Sequence, residues 1–157
     1  MDQIQAHDPI RERDKLMSNT DLVLRMYSLF NAGDLETIRT ELFAPDIVWR
    51  MPGHHPLSGE HTGADAVIAF FGALSQAGIT VDNVHFGELE NGTVIERHLG
   101  HGKTADLEYF FPTATAYDIV DGKLAHVQVH TADQHSVDRF FWSVFALKPV
   151  PARLQEV

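Results

Sequence analysis

Cysteine is absent from this chain of 157 residues, which excludes disulfides, thiol nucleophiles and cysteine-ligated zinc sites. Basic residues are scarce as well: 12 Lys and Arg stand against 22 Asp and Glu, for a formal net charge of −10. An electrostatic field of that sign repels nucleic-acid phosphates and anionic lipid headgroups. Nucleic acid and membrane surfaces are therefore not expected as partners.

Long apolar runs and glycine-rich loops are also missing. No segment approaches the roughly 18 apolar residues of a membrane span, and residues 1–17 lack the apolar core of a signal peptide. We therefore expect a cytoplasmic protein. No glycine-rich phosphate loop is present, and no cofactor is expected. A Ser-His-Asp signature of nucleophilic catalysis is absent as well.

Apolar residues make up 44% of the chain and aromatic residues 10%, enough to build a hydrophobic core rather than a disordered chain. No repeat or internal linker interrupts residues 18–145. We expect one domain over residues 18–147, preceded by a flexible arm (1–17) and followed by a short tail (148–157).

The first half of the chain has a helical pattern. Apolar residues at helical spacing predict helices over residues 18–33, 34–45 and 62–78. Ser18 with Asp21, and Thr62 with Asp65, have the spacing of capping boxes at the starts of the first and third helices. A short strand is expected over residues 47–51.

The second half has a strand pattern. Four β-rich runs cover residues 79–89, 93–101, 108–120 and 123–131, and a last helix is expected near residues 136–145. Asn91-Gly92 and Asp121-Gly122 predict tight type I′ hairpin turns. These elements predict an α+β fold, in which a strongly curved antiparallel sheet folds around a helix as a cone with an apolar interior.

Five segments of the chain carry a family resemblance. They are FNAGDLETI (30–38), FAPDIVWRMPG (43–53), PLSGEHTGADAVIAFF (56–71), IVDGKL (119–124) and DQHSVDRFFW (133–142). They resemble the NTF2-like superfamily and, within it, the SnoaL-like and ketosteroid-isomerase-like group. The resemblance implies an NTF2-like cone, with three N-terminal helices packed on a mostly antiparallel sheet.

Ketosteroid isomerases use a tyrosine and a protonated aspartate as an oxyanion hole, and a second aspartate to move the proton. Aligned through Gly33-Asp34 and Asp121-Gly122, these positions fall on Met26, Ala114 and Arg50. None of the three can take its family role, so ketosteroid isomerisation by the usual mechanism is not expected. Met26 and Ala114 become candidate substrate contacts.

This chain also lacks the catalytic residues of two related groups of enzymes. SnoaL-type cyclases place an acid near the end of the last strand, where this chain has Val129 or, with a slip of one residue, His130. No Arg-x-Asp of the kind found in limonene-epoxide-hydrolase-like relatives occurs in the strand region.

Arg50 is the first candidate catalytic residue. If the alignment holds, it points into the cone, where a guanidinium would need an anionic partner such as a substrate carboxylate, enolate or phenolate. The alternatives are a salt bridge to Glu96 or another internal acid, or a solvent-facing side chain. Trp49 would then point away from the cavity.

His54 is the second candidate, because Pro52 and Gly53 end the strand and leave it at the rim of the cone. Histidine titrates near neutral pH and suits general acid–base work. His54 is preferred to His55 because it lies nearer the strand, and a merely solvated histidine is the alternative.

Glu96 and His98 are the third and fourth candidates. On a strand they share one face, about 6–7 Å apart, and a carboxylate paired with an imidazole in an apolar cone would tune a proton shuttle. The opposite parity would bury Ile95 and Leu99 and leave Glu96 and His98 outside. Apolar content alone favours this second parity, and both remain open.

The remaining candidates concern the cone wall and the outer sheet face. Phe71, Phe110, Val127 and Val129 are expected to line the cavity. The other face of the last strand is expected to form a homodimer interface, as is common in this family, through His126, Gln128 and His130. No metal is expected, because His126 and His130 lie roughly 13 Å apart on a strand.

Two hypotheses of function follow. The first is a cofactor-independent enzyme that transfers a proton on a small hydrophobic molecule bearing a carbonyl or phenol, as an isomerase, cyclase or dehydratase. The second is a non-catalytic binding or scaffold protein. They differ in whether Glu96 and His98 face inward.

Overall fold

The computed structural model describes residues 17–146. The expectations for an N-terminal arm and a C-terminal tail concern residues outside this range, except for residue 17. No helix in the described range has both the length and the apolar character needed to cross a membrane.

The elements follow the predicted order. The helices are α1 (Asn19–Ala32), α2 (Leu35–Thr37) with a π-helical turn (Ile38–Leu42), α3 (Ala64–Gln76) and α4 (Gln134–Val144). The strands are β1 (Phe43–Met51), β2 (Gly59–Thr62), β3 (Thr80–Glu88), β4 (Val94–Lys103), β5 (Glu108–Val120) and β6 (Lys123–Thr131).

The strands form one six-stranded sheet in the order β2-β1-β6-β5-β4-β3. β1 runs parallel to β6, and the other pairs are antiparallel. Register shifts in β1, β3 and β5–β6 are of the kind that bend a sheet. The curved inner face holds a core with α1, α3 and α4, so the predicted α+β cone is confirmed.

Local signals place several element ends. Ser18 accepts a hydrogen bond from the Asp21 amide (3.1 Å) at the start of α1, and Gly33 ends that helix with φ 75°. Asp34 caps the next helix through the Thr37 amide (3.1 Å). These polar groups satisfy backbone groups that a helix end leaves free.

Other local expectations are wrong. Thr62 does not cap α3, because it lies in β2 and the N-cap is Gly63.

Asp121 and Gly122 both have positive φ (51° and 72°), as a type I′ turn requires, whereas at the other hairpin only Gly92 does (85°). The β3–β4 hairpin therefore has a longer loop that ends in a left-handed glycine. In this loop the Gly92 amide donates to the Leu89 carbonyl (2.9 Å).

Strand parity corrects three expectations about the cone wall. Trp49 is 5% exposed and faces inward with Ile47 and Met51, so Arg50 lies on the outer face. Phe110 is 59% exposed, because its neighbour Phe111 takes the inner position.

Ala114 is the third case and lies on the same outer face as Phe110, half-buried, between the inward-facing Thr113 and Thr115. Because side chains alternate across a sheet, an alignment shifted by one residue reverses every orientation on that strand.

Candidate active site

A cavity of about 120 Å³ lies inside the cone, between the inner face of the sheet and helices α1, α3 and α4. Its wall is mostly aromatic and aliphatic and includes Met26, Phe71 and Val129, as predicted. Val127 is also on the inner face, 2% exposed, and packs in the core beside the cavity. Among the described residues, no Asp, Glu, Lys or Arg lines this cavity.

Polar side chains form two rows across the inner face of the sheet. In one row, His98 on β4 is opposite Thr113 on β5, and Thr113 is opposite Thr131 on β6. In the next row, Glu96 is opposite Thr115. Since successive side chains alternate across the sheet, these groups share the face that lines the cavity.

Glu96 and His98 form a hydrogen-bonded pair. His98 Nδ1 lies 2.7 Å and 2.9 Å from the two carboxylate oxygens of Glu96. The Glu96 side chain is fully buried, and the His98 side chain is 13% exposed and lines the cavity. The structure therefore has the inward parity, against the outward one that apolar content alone favoured, and Ile95 and Leu99 are half-buried on the outer face.

This geometry defines the protonation pattern of a neutral His98. An ionised Glu96 only accepts hydrogen bonds, so Nδ1 carries the proton and donates a hydrogen bond to the carboxylate. The other nitrogen, Nε2, then has a free lone pair, and no described residue hydrogen-bonds it. A base with an oriented imidazole and an available lone pair thus lies on the cavity wall.

Two tyrosines extend the polar cluster beside Glu96. The hydroxyls of Tyr27 and Tyr117 are 3.0 Å apart and share a hydrogen bond. Burial raises the pKa of both phenols well above the usual range, and the nearby charge of Glu96 raises them further. Both side chains therefore stay neutral. One O–H is used in the shared hydrogen bond, and the other can donate to an oxygen that gains negative charge.

The sequence analysis missed these tyrosines and the inward threonines. The signal was present in the run Thr113-Ala114-Thr115-Ala116-Tyr117, where polar and small residues alternate with period two. Placing Ala114 inward by alignment assigned the wrong half of that alternation to the cavity.

Arg50 does not join the cluster. Its Nε is 2.9 Å from Glu60 Oε2 on the neighbouring strand β2, and both side chains are about half exposed. The solvent-facing alternative is the observed one, and the salt bridge goes to the exposed Glu60 instead of to Glu96 or another internal acid.

His54 is exposed and does not line the cavity. Its backbone joins the β1–β2 loop to α4: the His54 amide donates to Asp138 Oδ1 (3.1 Å), and its carbonyl accepts from Trp142 Nε1 (2.6 Å). The predicted general acid or base at the rim is thus brought near α4, not near His98.

The neighbouring His55 is buried instead. Its Nδ1 accepts from the Leu57 amide (3.2 Å), its Nε2 faces the Pro52 carbonyl (3.1 Å), and its ring stacks on Phe141 at 4.7 Å. Burial lowers the pKa of His55, opposed by the charge of Asp138. Since both ring nitrogens are engaged, His55 supports the loop. Among residues 17–146, no three His, Asp or Glu side chains cluster as a metal site would require.

Comparison with known proteins identifies the family. The model of the SnoaL-like domain matches residues 23–127. The chain belongs to the SnoaL-like family. This match includes most of α1, the π-helical turn, α3 and most of the sheet, and so contains both Glu96 and His98.

Relatives of this SnoaL-like chain include the uncharacterized protein Rv0034 of Mycobacterium tuberculosis, 40% identical over 60 residues. That match covers 38% of this chain and 45% of the relative, so the chain matches less than half the length of the curated relatives.

Solved structures share the fold over a larger part of the chain. Bal32a, from a soil-derived mobile gene cassette, has a TM-score of 0.73 and 27% identity over 78% of this chain and 95% of its own. An NTF2-like protein of Burkholderia xenovorans has a TM-score of 0.68 and 21% identity, covering 80% and 98%. The epoxide hydrolase/cyclase-like enzyme SalBIII has a TM-score of 0.62 and 16% identity, covering 73% and 90%.

Proposed function

We propose that this SnoaL-like protein is a cofactor-independent enzyme that transfers a proton on a small, apolar molecule bearing a carbonyl or phenol. The observation that carries the proposal is the Glu96–His98 hydrogen bond at the wall of a mostly apolar cavity. A buried carboxylate has little reason to lie there unless it orients or charges a neighbour, since burying an ion costs several kcal/mol.

The chemistry follows from the free nitrogen of His98. Nε2 accepts a proton from a carbon next to the substrate carbonyl, and electron density moves to the carbonyl oxygen. The imidazolium that forms is stabilised by the adjacent Glu96 carboxylate, as in other carboxylate–imidazole pairs. Returning the proton to a different atom gives isomerisation, and the same enolate supports cyclisation or dehydration.

The comparisons support this class of reaction but do not distinguish isomerisation, cyclisation and dehydration. SalBIII is described as epoxide hydrolase/cyclase-like in pyran ring formation, which shows that one protein with this fold handles a ring-forming substrate. Arg50 has no part in the proposed mechanism, because it is on the opposite face of the sheet.

The test is catalysed exchange of deuterium into ketones with acidic α C–H bonds, with β-tetralone as the first probe. In D₂O the wild type should accelerate exchange, measured by proton NMR. The variant His98→Gln should lower the rate about 10²- to 10⁴-fold, the usual contribution of a general base. Glu96→Gln should lower it as well, because His98 loses its charged partner.

The matched control lies on the same strand. His101 also pairs with a glutamate, its Nε2 being 2.8 Å from Glu108 Oε1, but this pair is on the outer surface. His101→Gln should leave exchange unchanged. Ketone binding without exchange in the wild type would instead establish the alternative, a non-catalytic binding protein that uses the same cavity.

We also propose that the outer face of the sheet forms a homodimer interface centred on His126, Gln128 and His130. All three lie on the outer face of β6, exposed or half-buried. Gln128 is opposite Ala116 on β5, and the small side chain there leaves the middle of this face flat. The buried residues of α1, α3 and α4 belong to the core on the opposite, inner face.

A further inference from the structure

Two buried glycines, Gly100 and Gly102, follow His98 on the inner face of β4. The pairing of β4 with β5 continues through both positions without a register shift. Neither glycine has a positive φ, so the backbone conformation does not require glycine there. Glycine weakens the interior of a strand and often marks a place where another group approaches the backbone closely.

At Gly102 the approaching group is a side chain of the protein itself. A Cβ atom at this position would be 2.6 Å from the ring of Phe140. That ring is fully buried and packs edge-on against Tyr109, with ring centroids 5.5 Å apart. Helix α4 therefore fills the space over Gly102 with an aromatic ring.

The space over Gly100 is not filled in this way. The three atoms nearest to a Cβ atom there all belong to Phe111, at ordinary contact distances of 3.5–3.6 Å. Gly100 lines the cavity together with its cross-strand neighbours, Val81 on β3 and Phe111 on β5. The missing side chain therefore enlarges the cavity at this point.

The position of this space relative to His98 connects it to the proposed reaction. Gly100 lies two residues beyond His98 on the same face, about 6–7 Å away. In the opposite direction along β4, His98 is followed by the buried Glu96 carboxylate, with the pair Tyr27 and Tyr117 beside it. An apolar group placed there would deprive these polar groups of hydrogen-bonding surroundings. The apolar part of a substrate is therefore favoured on the Gly100 side of His98.

We infer that the space over Gly100 holds the apolar body of the substrate, and that Gly100 is a specificity-determining residue that admits a ketone with a flat ring fused to its carbonyl-bearing part. The inference rests on the proposed function and adds the side of His98 on which the substrate lies. A bare glycine backbone lets a flat ring lie closer to the sheet than any side chain would permit.

The ratio of exchange rates for two ketones tests the inference. β-Tetralone has a benzene ring fused to its carbonyl-bearing ring, whereas cyclopentanone has no second ring. Gly100→Ala should lower the ratio of kcat/KM for β-tetralone to kcat/KM for cyclopentanone about 10- to 200-fold, the usual effect of one methylene-sized group in an apolar pocket. Gly100→Val should lower it further. The ratio cancels any change in the amount of folded protein or in the basicity of His98.

Two further variants serve as comparisons. Gly87→Ala makes the same change on the outer face of β3, where a Cβ atom meets nothing within 4 Å, and should leave the ratio unchanged. Val129→Ile adds one methylene to the cavity wall on β6, in the row of Glu96 and Thr115. It should lower the ratio less than Gly100→Ala does. An equal or larger loss in Val129→Ile, or an unchanged ratio in both Gly100 variants, would overturn the inference.

A measurement on the wild type does not depend on the folding of any variant. In protein with labelled valine methyl groups, the aromatic protons of bound β-tetralone should give nuclear Overhauser effects to Val81, which is opposite Gly100. Effects to Val129 should be weaker or absent. The reverse pattern would place the ring on the Glu96 side of His98 and contradict the inference.

The two proposals fail in different ways. Exchange that depends on His98 together with a ratio that ignores Gly100 would leave the proton-transfer function standing and remove the role of Gly100. Binding of β-tetralone against Val81, weakened in Gly100→Val but without exchange of either ketone, would leave a ketone-binding protein and remove the enzyme. Absence of binding by both ketones would overturn both proposals.

Discussion

Glu96 is the one fully buried carboxylate among residues 17–146, and its surroundings explain how the fold accommodates it. The hydrogen bond from His98 and the nearby phenols of Tyr27 and Tyr117 replace part of its lost hydration. A buried carboxylate held by donors is costly to leave unpaired, because removing one partner exposes the charge to an apolar interior. The polar cluster is therefore a unit of which each member depends on the others.

The two buried tyrosines predict how stability responds to alkaline pH. The unfolded chain releases their protons near pH 10, the ordinary pKa of tyrosine, whereas the raised pKa values keep the protons on in the folded state. The stability that the two protonated phenols contribute to the folded state is therefore fully present below about pH 10. It is lost as the pH rises toward the pKa values of the folded state. In that window each tyrosine should lower the free energy of unfolding by about 1.4 kcal/mol per pH unit.

Urea unfolding at several alkaline pH values measures this slope, and Tyr117→Phe is the comparison. In that variant the free energy of unfolding should fall less steeply with pH, by about 1.4 kcal/mol per pH unit, since only Tyr27 of the pair still titrates. Equal slopes in the two proteins would show that Tyr117 ionises normally in the folded state.

At the scale of elements, the loop between β1 and β2 acts as a support for α4. The loop backbone at His54 accepts from Trp142 and donates to Asp138, while the His55 ring stacks on Phe141. α4 in turn supplies Val137 and Phe141 to the cavity wall. The loop between β1 and β2 thus positions one wall of the candidate active site instead of supplying its base.

Gly53 tests the contact between this loop and α4. It has φ 110°, and a Cβ atom there would be 2.2 Å from both Asp138 Oδ1 and Gln134 Nε2. Gly59, with φ 108°, has open space at the same point. Both Gly→Ala substitutions strain the backbone, but only Gly53→Ala must also displace side chains of α4.

We expect Gly59→Ala to cost about 1–3 kcal/mol from backbone strain alone. Gly53→Ala should cost about 1–3 kcal/mol more, the usual penalty of overpacking. Chemical denaturation of the two variants gives the difference directly. Equal losses of stability would mean that the Asp138 and Gln134 side chains move aside freely and that the loop does not brace α4.

At the scale of the whole molecule, the curved sheet has two faces with different tasks. The inner face encloses the cavity, and the outer face presents β6 with His126, Gln128 and His130. A net charge of −10 keeps copies of the chain apart at long range, so association would depend on close packing of this flat face.

Sedimentation measurements test the proposed dimer. Ala116→Arg places a long cation opposite Gln128 in the middle of the outer face and should convert a dimer to a monomer. Ala69→Arg makes the same change on an exposed position of α3, on the other side of the sheet, and should have no effect. A wild type that sediments as a monomer would contradict the proposal at the outset.

Much of the architecture was determined by the sequence alone. Hydrophobic period, the Ser18 and Asp34 caps, Gly33 and the Asp121-Gly122 turn are local features whose physics acts within a few residues. They predicted the helices and most of the strands, and the family resemblance predicted the cone. β2 escaped notice because its four residues are too few to show a period and depend on β1 for pairing.

The facing of each strand was decided only in the tertiary structure. On β1 the indole of Trp49 buries more apolar surface than Arg50 could, and Glu60 on β2 offers the arginine an external partner. On β4 the apolar residues Ile95 and Leu99 face outward, and the polar residues Glu96 and His98 face inward. The inward orientation is stabilised because Glu96 lies there beside His98 and the tyrosine pair. The contact between Tyr27 and Tyr117 joins residues 90 positions apart in the chain. The hydrophobic period of a single strand or helix cannot predict such a contact.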